Sequence, residues 1–135
     1  MFTKTILRKN LSQRCMSEYS NSRFINVRVQ SILDSWFEDI DRNAPPTEAI
    51  MNKWFTPNQT FDDHLAKEHL KDLTDFKLTR GMFWISDNQS VLASIILGDQ
   101  ISRHTHRKRA RAYETDDLCL KLAKTISKVP LYLFL

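Results

Sequence analysis

Glycine occurs only twice in these 135 residues, and proline four times. A many-stranded sandwich or barrel needs frequent turns, and this chain holds too few turn formers to make them. With Gly81 and Gly98 alone, the glycine-rich phosphate cradles are excluded, and no G-x-S-x-G nucleophile elbow is present either. No cofactor is therefore expected. The two cysteines, Cys15 and Cys119, lie too far apart to match a metal or redox spacing, and a reducing compartment is the simple reading. Long apolar runs are also missing. The longest stretch, 91–97, has Ser94 inside it and falls far short of the roughly 20 residues that span a membrane.

What is present fits long helices. Hydrophobic residues make up 41% of the chain, enough for a core and too many for a wholly disordered chain. In 27–40, Val29, Ile32, Leu33, Trp36, Phe37 and Ile40 recur at three- and four-residue spacing, the stripe of an amphipathic helix. Asn43-Ala-Pro-Pro46 breaks it, and 48–55 is expected to add a short helical segment. The next helix is expected to start with Thr60 as its N-cap and Asp63 in its first turn, and to run to Phe76. Phe61, Leu65, Leu73 and Phe76 form its core face, with His69 among them. Gly81 marks a turn, and Trp84 is expected to anchor against the bundle. A third long helix covers 89–103 with Val91, Leu92, Ile95 and Ile96 inward. Gly98 inside it costs about 1 kcal/mol relative to Ala unless close packing requires it. The fourth begins near Thr115, carries Leu118, Leu122 and Ile126, and stops by Pro130. The fold class is thus all-α with about four main helices, occupying 25–135.

Residues 1–24 differ in kind. They are rich in Arg, Lys and Ser with Glu18 as the single acid, and Phe2, Ile6, Leu7 and Leu11 share a helical face. That is the composition of a mitochondrial transit peptide, a positive amphipathic helix drawn to an energised membrane. Mitochondrial localisation is the expectation, with a basic tail on a cytoplasmic protein as the alternative. The apolar stub Leu131-Tyr-Leu-Phe-Leu135 is expected to dock against something.

The most informative polar segment is Asp99-Gln100-Ile-Ser-Arg103-His104, followed by Arg107. On a helix, Ile95, Asp99 and Arg103 are spaced by four and share a face. Charges on a buried face need partners. One reading is an anion or carboxylate site, with Arg103 and Arg107 as binders, Asp99 as orienter and Gln100 adding hydrogen bonds. The favoured one is an ion-pair clamp fixing the helix end to the following loop. A metal is not expected. His64 and His69 fall on different helix faces, His104 and His106 lie in a cationic stretch, and no four-ligand set is complete. Cys119 reads as packing. Trp36, Phe37, Trp54, Phe55, Phe61 and Trp84 sit at helical spacing and read as core anchors, away from the basic run 103–111. The net charge of +4 is modest, so that run is expected to be a solvated loop, and nucleic acid is not the favoured partner.

Several separated signatures resemble the domain-of-unknown-function family numbered 924, a TPR-like all-helical family. They are Ile32-Leu-Asp-Ser-Trp-Phe37, Lys53-Trp-Phe55, Phe61-Asp62, Gly81 with Trp84, and a block from Leu92-Ala93 through Asp99-Gln100, Arg103, Arg107, Ala110-Arg-Ala-Tyr113 and Thr115-Asp116. The resemblance implies an antiparallel, TPR-like helical array and no known reaction. Where relatives usually read Leu-Asp-Gln-Phe-Pro-Arg-Asn, this chain reads Gly98-Asp-Gln-Ile-Ser-Arg-His104. Lys108 stands for a usual Gly, Ser35 for a usual aromatic and His69 for a core Phe. Relatives continue with a further helical portion, so the resemblance implies a C-terminally shortened or diverged member. The leading functional expectation is a non-catalytic module that binds a protein or peptide on a concave helical face. The alternatives are a small-molecule enzyme or sensor using Asp99, Gln100, Arg103 and Arg107, and a mitochondrial RNA-associated protein using 103–111.

Overall fold

A computed structural model describes residues 18–38 and 40–126. The basic N-terminal residues 1–17, Cys15 among them, lie outside the described residues, as do Pro130 and the stub 131–135.

The described residues hold helices and no strand. They are α1 (Ser22–Phe37), α2 (Glu48–Phe55), α3 (Gln59–Thr79), α4 (Asn88–Ile95), a π-helical turn (Ile96–Ile101), α5 (Ser102–Thr105), a 3-10 turn (Ala110–Tyr113) and α6 (Asp116–Thr125). Segments α4, π and α5 run on without a break. The chain is therefore all-α.

α1 begins five residues before Val27. Asn21 supplies the start: its side chain accepts hydrogen bonds from the backbone N–H of Arg23 and Phe24, satisfying groups a helix leaves open at its first turn. Tyr19, just upstream, is buried, and its hydroxyl donates to Asp72 Oδ1 at 2.8 Å. The stripe Val29, Ile32, Leu33, Trp36 and Phe37 is buried, but the helix ends at Phe37 because Glu38 turns to a positive φ of 53°. α2 has the expected bounds. Trp54 is buried there and stacks on Trp36 with centroids 5.3 Å apart, while its indole N–H donates to the Trp36 carbonyl at 3.0 Å. Phe55, expected as a core anchor, is 41% exposed; its ring stands edge-on to Trp54, the one buried residue of this short helix, with centroids 6.2 Å apart.

The start of α3 departs from expectation. The cap is Asn58, whose side chain accepts from Phe61 N–H at 3.1 Å, and Thr60 lies inside the first turn. Pro57 precedes Asn58, which is itself in extended backbone, so the helix begins one residue after Asn58. At the far end Arg80 and Gly81 take positive φ, and the Gly81 N–H returns to the Phe76 carbonyl, a left-handed helix stop. Trp84 is fully buried after this turn, with its indole N–H on Asp75. A capping box between Asp87 and Ser90 starts α4.

Helix α3 packs on the π turn and α5, α1 packs on α4, and α6 packs on α4. Close approach explains Gly98. A Cβ there would lie 2.6 Å from Cys119 Sγ and 2.7 Å from a ring carbon of Phe76. The Thr115 hydroxyl also donates to the Gly98 carbonyl at 2.7 Å. Thr115 therefore ties the start of α6 to the π turn, and Cys119 is buried against the same glycine.

Gly98→Ala tests this packing. Helix propensity alone would favour Ala by about 1 kcal/mol, whereas forcing a methyl into Phe76 and Cys119 is expected to cost about 1–3 kcal/mol net. Urea denaturation reads the difference, and a variant as stable as the parent would contradict the close approach.

Candidate functional site

The polar residues of the α4–π–α5 segment divide into two groups. In the first, Arg103 bridges two carboxylates: its guanidinium meets Asp99 at 2.8 Å and Asp116, at the head of α6, at 3.0 Å. Gln100 is buried and donates to Asp99 Oδ2, and the guanidinium also lies over the Tyr113 ring at 5.4 Å. Burial pushes the Asp99 carboxyl above its ordinary range, with Arg103 pulling the other way. The π turn that presents Asp99 and Gln100 is of a kind often found where a helix serves a special purpose.

Arg107 belongs to the second group. The helix ends at Thr105, so the four-residue spacing that links Asp99 to Arg103 does not extend to Arg107. The chain turns instead toward α3. There Arg107 holds Asp62 through two parallel bonds, Nε to Oδ2 at 2.8 Å and Nη2 to Oδ1 at 3.0 Å, the fork geometry that suits Arg to carboxylates. His104 completes the group. Its Nδ1 lies 2.7 Å from Asp62 Oδ1, and its Nε2 lies 2.8 Å from the Trp54 carbonyl oxygen, to which it donates. The ring also sits edge-on to Trp36 and Phe61. Burial alone would raise the Asp62 carboxyl, but the hydrogen bonds from Arg107 and His104 outweigh it and hold the group below its ordinary range.

A third group stands further along α3. Asp72 is buried and accepts from Tyr19, from Arg28 (Nη2 to Oδ2, 2.6 Å) and from His69 Nδ1 at 3.1 Å. His69 Nε2 meets the Ser35 hydroxyl at 2.8 Å. A hydroxyl both donates and accepts, so Ser35 takes whichever role the ring leaves open. The two departures at Ser35 and His69 are therefore one feature: a polar pair in contact across α1 and α3. Burial works to raise the Asp72 carboxyl, and its three donors together hold it below its ordinary range.

Asp62, His104 and Arg107 floor an open pocket of about 410 Å³, walled by Gln59, Asp63 and Ala66 on one side and Lys108 and Arg109 on the other. A second depression of about 360 Å³ is lined by Ala49, Asn52, Lys53, Thr56, Pro57 and Asn58. Asn58 and Gln59 are neighbours in sequence, so both depressions reach the head of α3. Asp62 and its pocket were not evident from the sequence as a site. The signal available was an acidic residue between the core residues Phe61 and Leu65, where a charge needs a partner.

Among the described residues, no group of three His, Cys, Asp or Glu is arranged to hold a metal ion, and no helix is long and apolar enough to cross a membrane. Burial pushes the Cys119 thiol up to about 12, which leaves it un-ionised and poorly nucleophilic.

The family model described as "Bacterial protein of unknown function (DUF924)" matches residues 32–131. The chain belongs to this family. The match takes in α1 from Ile32 onward and every later helix, and so all three polar groups except Arg28 and Tyr19. No curated protein and no solved structure matches the chain.

The two depressed carboxylates set an acid limit. Each stabilises the fold in full above its ordinary value of 3.8, and its contribution is lost as pH falls through the lower folded value. Asp72→Asn is expected to cost about 3 kcal/mol at neutral pH, because Arg28 and His69 lose a charged partner in the core. Denaturation as a function of pH should show variant and parent converging below pH 3.8. A gap that persists undiminished into acid would contradict the assignment.

Proposed function

We propose that this family member is a non-catalytic helical module, built on TPR-like lines, that binds a peptide segment of a partner protein along the track formed by the two depressions at the head of α3. The observation that carries the reading is the shape of that track. Small-molecule sites are concave and bury most of their ligand; here two open depressions of about 410 and 360 Å³, the first lined mainly by polar groups, both reach the head of α3. An extended chain fits such a track better than a compact metabolite.

The reactive groups support binding over catalysis. Asp62 and Asp72 are each held by an arginine and a histidine, His69 and His104 have both ring nitrogens engaged, and the Cys119 thiol is buried. General acid–base chemistry needs a group poised to exchange its proton with a substrate. Arg103 already faces two carboxylates, which favours the clamp over an anion site at Asp99, Gln100 and Arg103.

Panning a random-peptide library on the folded chain tests the module. Enriched peptides sharing a motif, whose binding is lost when Gln59 at the junction is replaced by Arg with the melting temperature unchanged, are the expected result. Absence of any enrichment would sink the reading.

We also propose mitochondrial import on the composition of residues 1–24. Tyr19 is buried and bonded to Asp72, so a processed chain should retain it. Intact mass measured on fractionated cells reads this directly: a mitochondrial product cut before Tyr19 is expected, and the full 15.9 kDa in the cytosol would overturn it.

A further inference from the structure

We propose that the basic wall of the larger depression, Lys108 and Arg109 beside Arg107, receives the carboxylates of an acidic segment in the partner. The inference rests on reading the chain as a peptide-binding module and names the chemistry of the segment that module takes.

The charges in this pocket are not equivalent. Asp62 is neutralised by Arg107 within the floor. Asp63, on the opposite wall, accepts from Gln59 at 2.7 Å and is exposed. Lys108 and Arg109 are exposed, and neither side chain makes an ion pair or hydrogen bond with another described residue. Arg107 uses Nε and Nη2 on Asp62, which leaves Nη1 with no bond to a described residue. The wall therefore offers two uncommitted cations in consecutive positions, Lys108 and Arg109, with Arg107 Nη1 as a further donor beside them, and Asp62 beneath is already paired. Hydrogen bonds between such donors and a carboxylate are the strong class, and guanidinium matches a carboxylate in two-point geometry.

The backbone adds a second observation. Lys108 holds φ at 64°, in the left-handed region that a residue with a Cβ rarely enters. Residues kept in such conformations cluster at ligand clamps. Here the strained position carries a cation at the rim of a pocket. The lining also argues for peptide over nucleic acid. Single-stranded nucleic acid is gripped by aromatic platforms beside a basic groove, and neither depression has an aromatic residue of the Phe, Tyr or Trp kind in its lining.

Fluorescence anisotropy on the full chain tests the proposal with a fluorescein-labelled Glu-Glu-Gly-Glu-Glu peptide and its Gln-for-Glu counterpart. The acidic peptide should bind and the Gln version should be weaker by about tenfold or more, the value of charge-assisted hydrogen bonds. Arg109→Glu should abolish the preference without lowering the melting temperature, because no described side chain depends on Arg109. Lys108→Gly should weaken binding while leaving the melting temperature equal or higher, because glycine accepts φ near 64° without strain. Equal binding of the two peptides, or acidic-peptide binding indifferent to both substitutions, overturns the proposal. Displacement by succinate at concentrations matching the peptide would also overturn it, in favour of a free small carboxylate. Tighter, steeply salt-dependent binding of an oligouridine probe would do so in favour of nucleic acid. Should library panning yield only neutral or apolar peptides that the acidic probe cannot displace, the carboxylate assignment fails and the module stands. Should it yield none, both fail.

Discussion

Helix α3 runs through the middle of the packing with two carboxylates, Asp62 and Asp72, turned into it. A buried, unpartnered carboxylate would cost more than a domain of this size has in reserve, so each must be met by cations and donors from elsewhere in the chain. Asp72 is met from upstream, by Arg28 and Tyr19, with Ser35 reached through His69. Asp62 is met from downstream, by His104 and Arg107. These bonds set α1 against one end of α3 and α5 with its following loop against the other. His104 extends the second set to α2 through the Trp54 carbonyl, which also locks the Trp36–Trp54 stack in register.

Much of the helical frame was legible because it rests on local signals. The stripe from Val29 to Phe37 is buried as its spacing requires, the 48–55 segment has the expected boundaries, and Gly81 stops a helix where a glycine would. The failures are of two physical kinds. Competition between neighbouring polar residues decided one cap: Asn58 outcompetes Thr60 because it sits in extended backbone with its side chain free to reach back, and Asn21 starts α1 ahead of the apolar stripe. Periodicity also cannot foresee a change of helical pitch or an early stop. The π turn at Ile96–Ile101 alters the helical phase of every residue after it, and the end at Thr105 releases Arg107 from the stripe that Asp99 and Arg103 share. One apparent polar quartet thus became two clusters on different neighbours.

The partners of the buried carboxylates were the least legible part. Asp62 and Arg107 are 45 positions apart, and Arg28 and Asp72 are 44. No local pattern encodes such pairs; the sequence shows only that a charge on an apolar face must have some partner. The substitutions at Ser35 and His69 carry the same lesson. Either polar side chain alone would need a partner, and the two satisfy each other because their side chains meet at 2.8 Å within reach of Asp72.

The distribution of arginines shows why charge count is a poor guide to function in such a fold. Arg103 and Arg109 lie in one basic run. Arg103 is 38% exposed at its side chain but bridges Asp99 and Asp116, so an incoming anion would have to displace two carboxylates already in place. Arg109 is exposed at the edge of an open depression with no such competitor. An ionic contact contributes to binding only by the amount it exceeds the contacts it replaces, and at Arg109 and Lys108 water is the only competitor among the described groups. The proposed recognition is therefore to be sought where the cations are left unengaged by the fold, just past the end of the helix whose earlier residues are committed to holding it together.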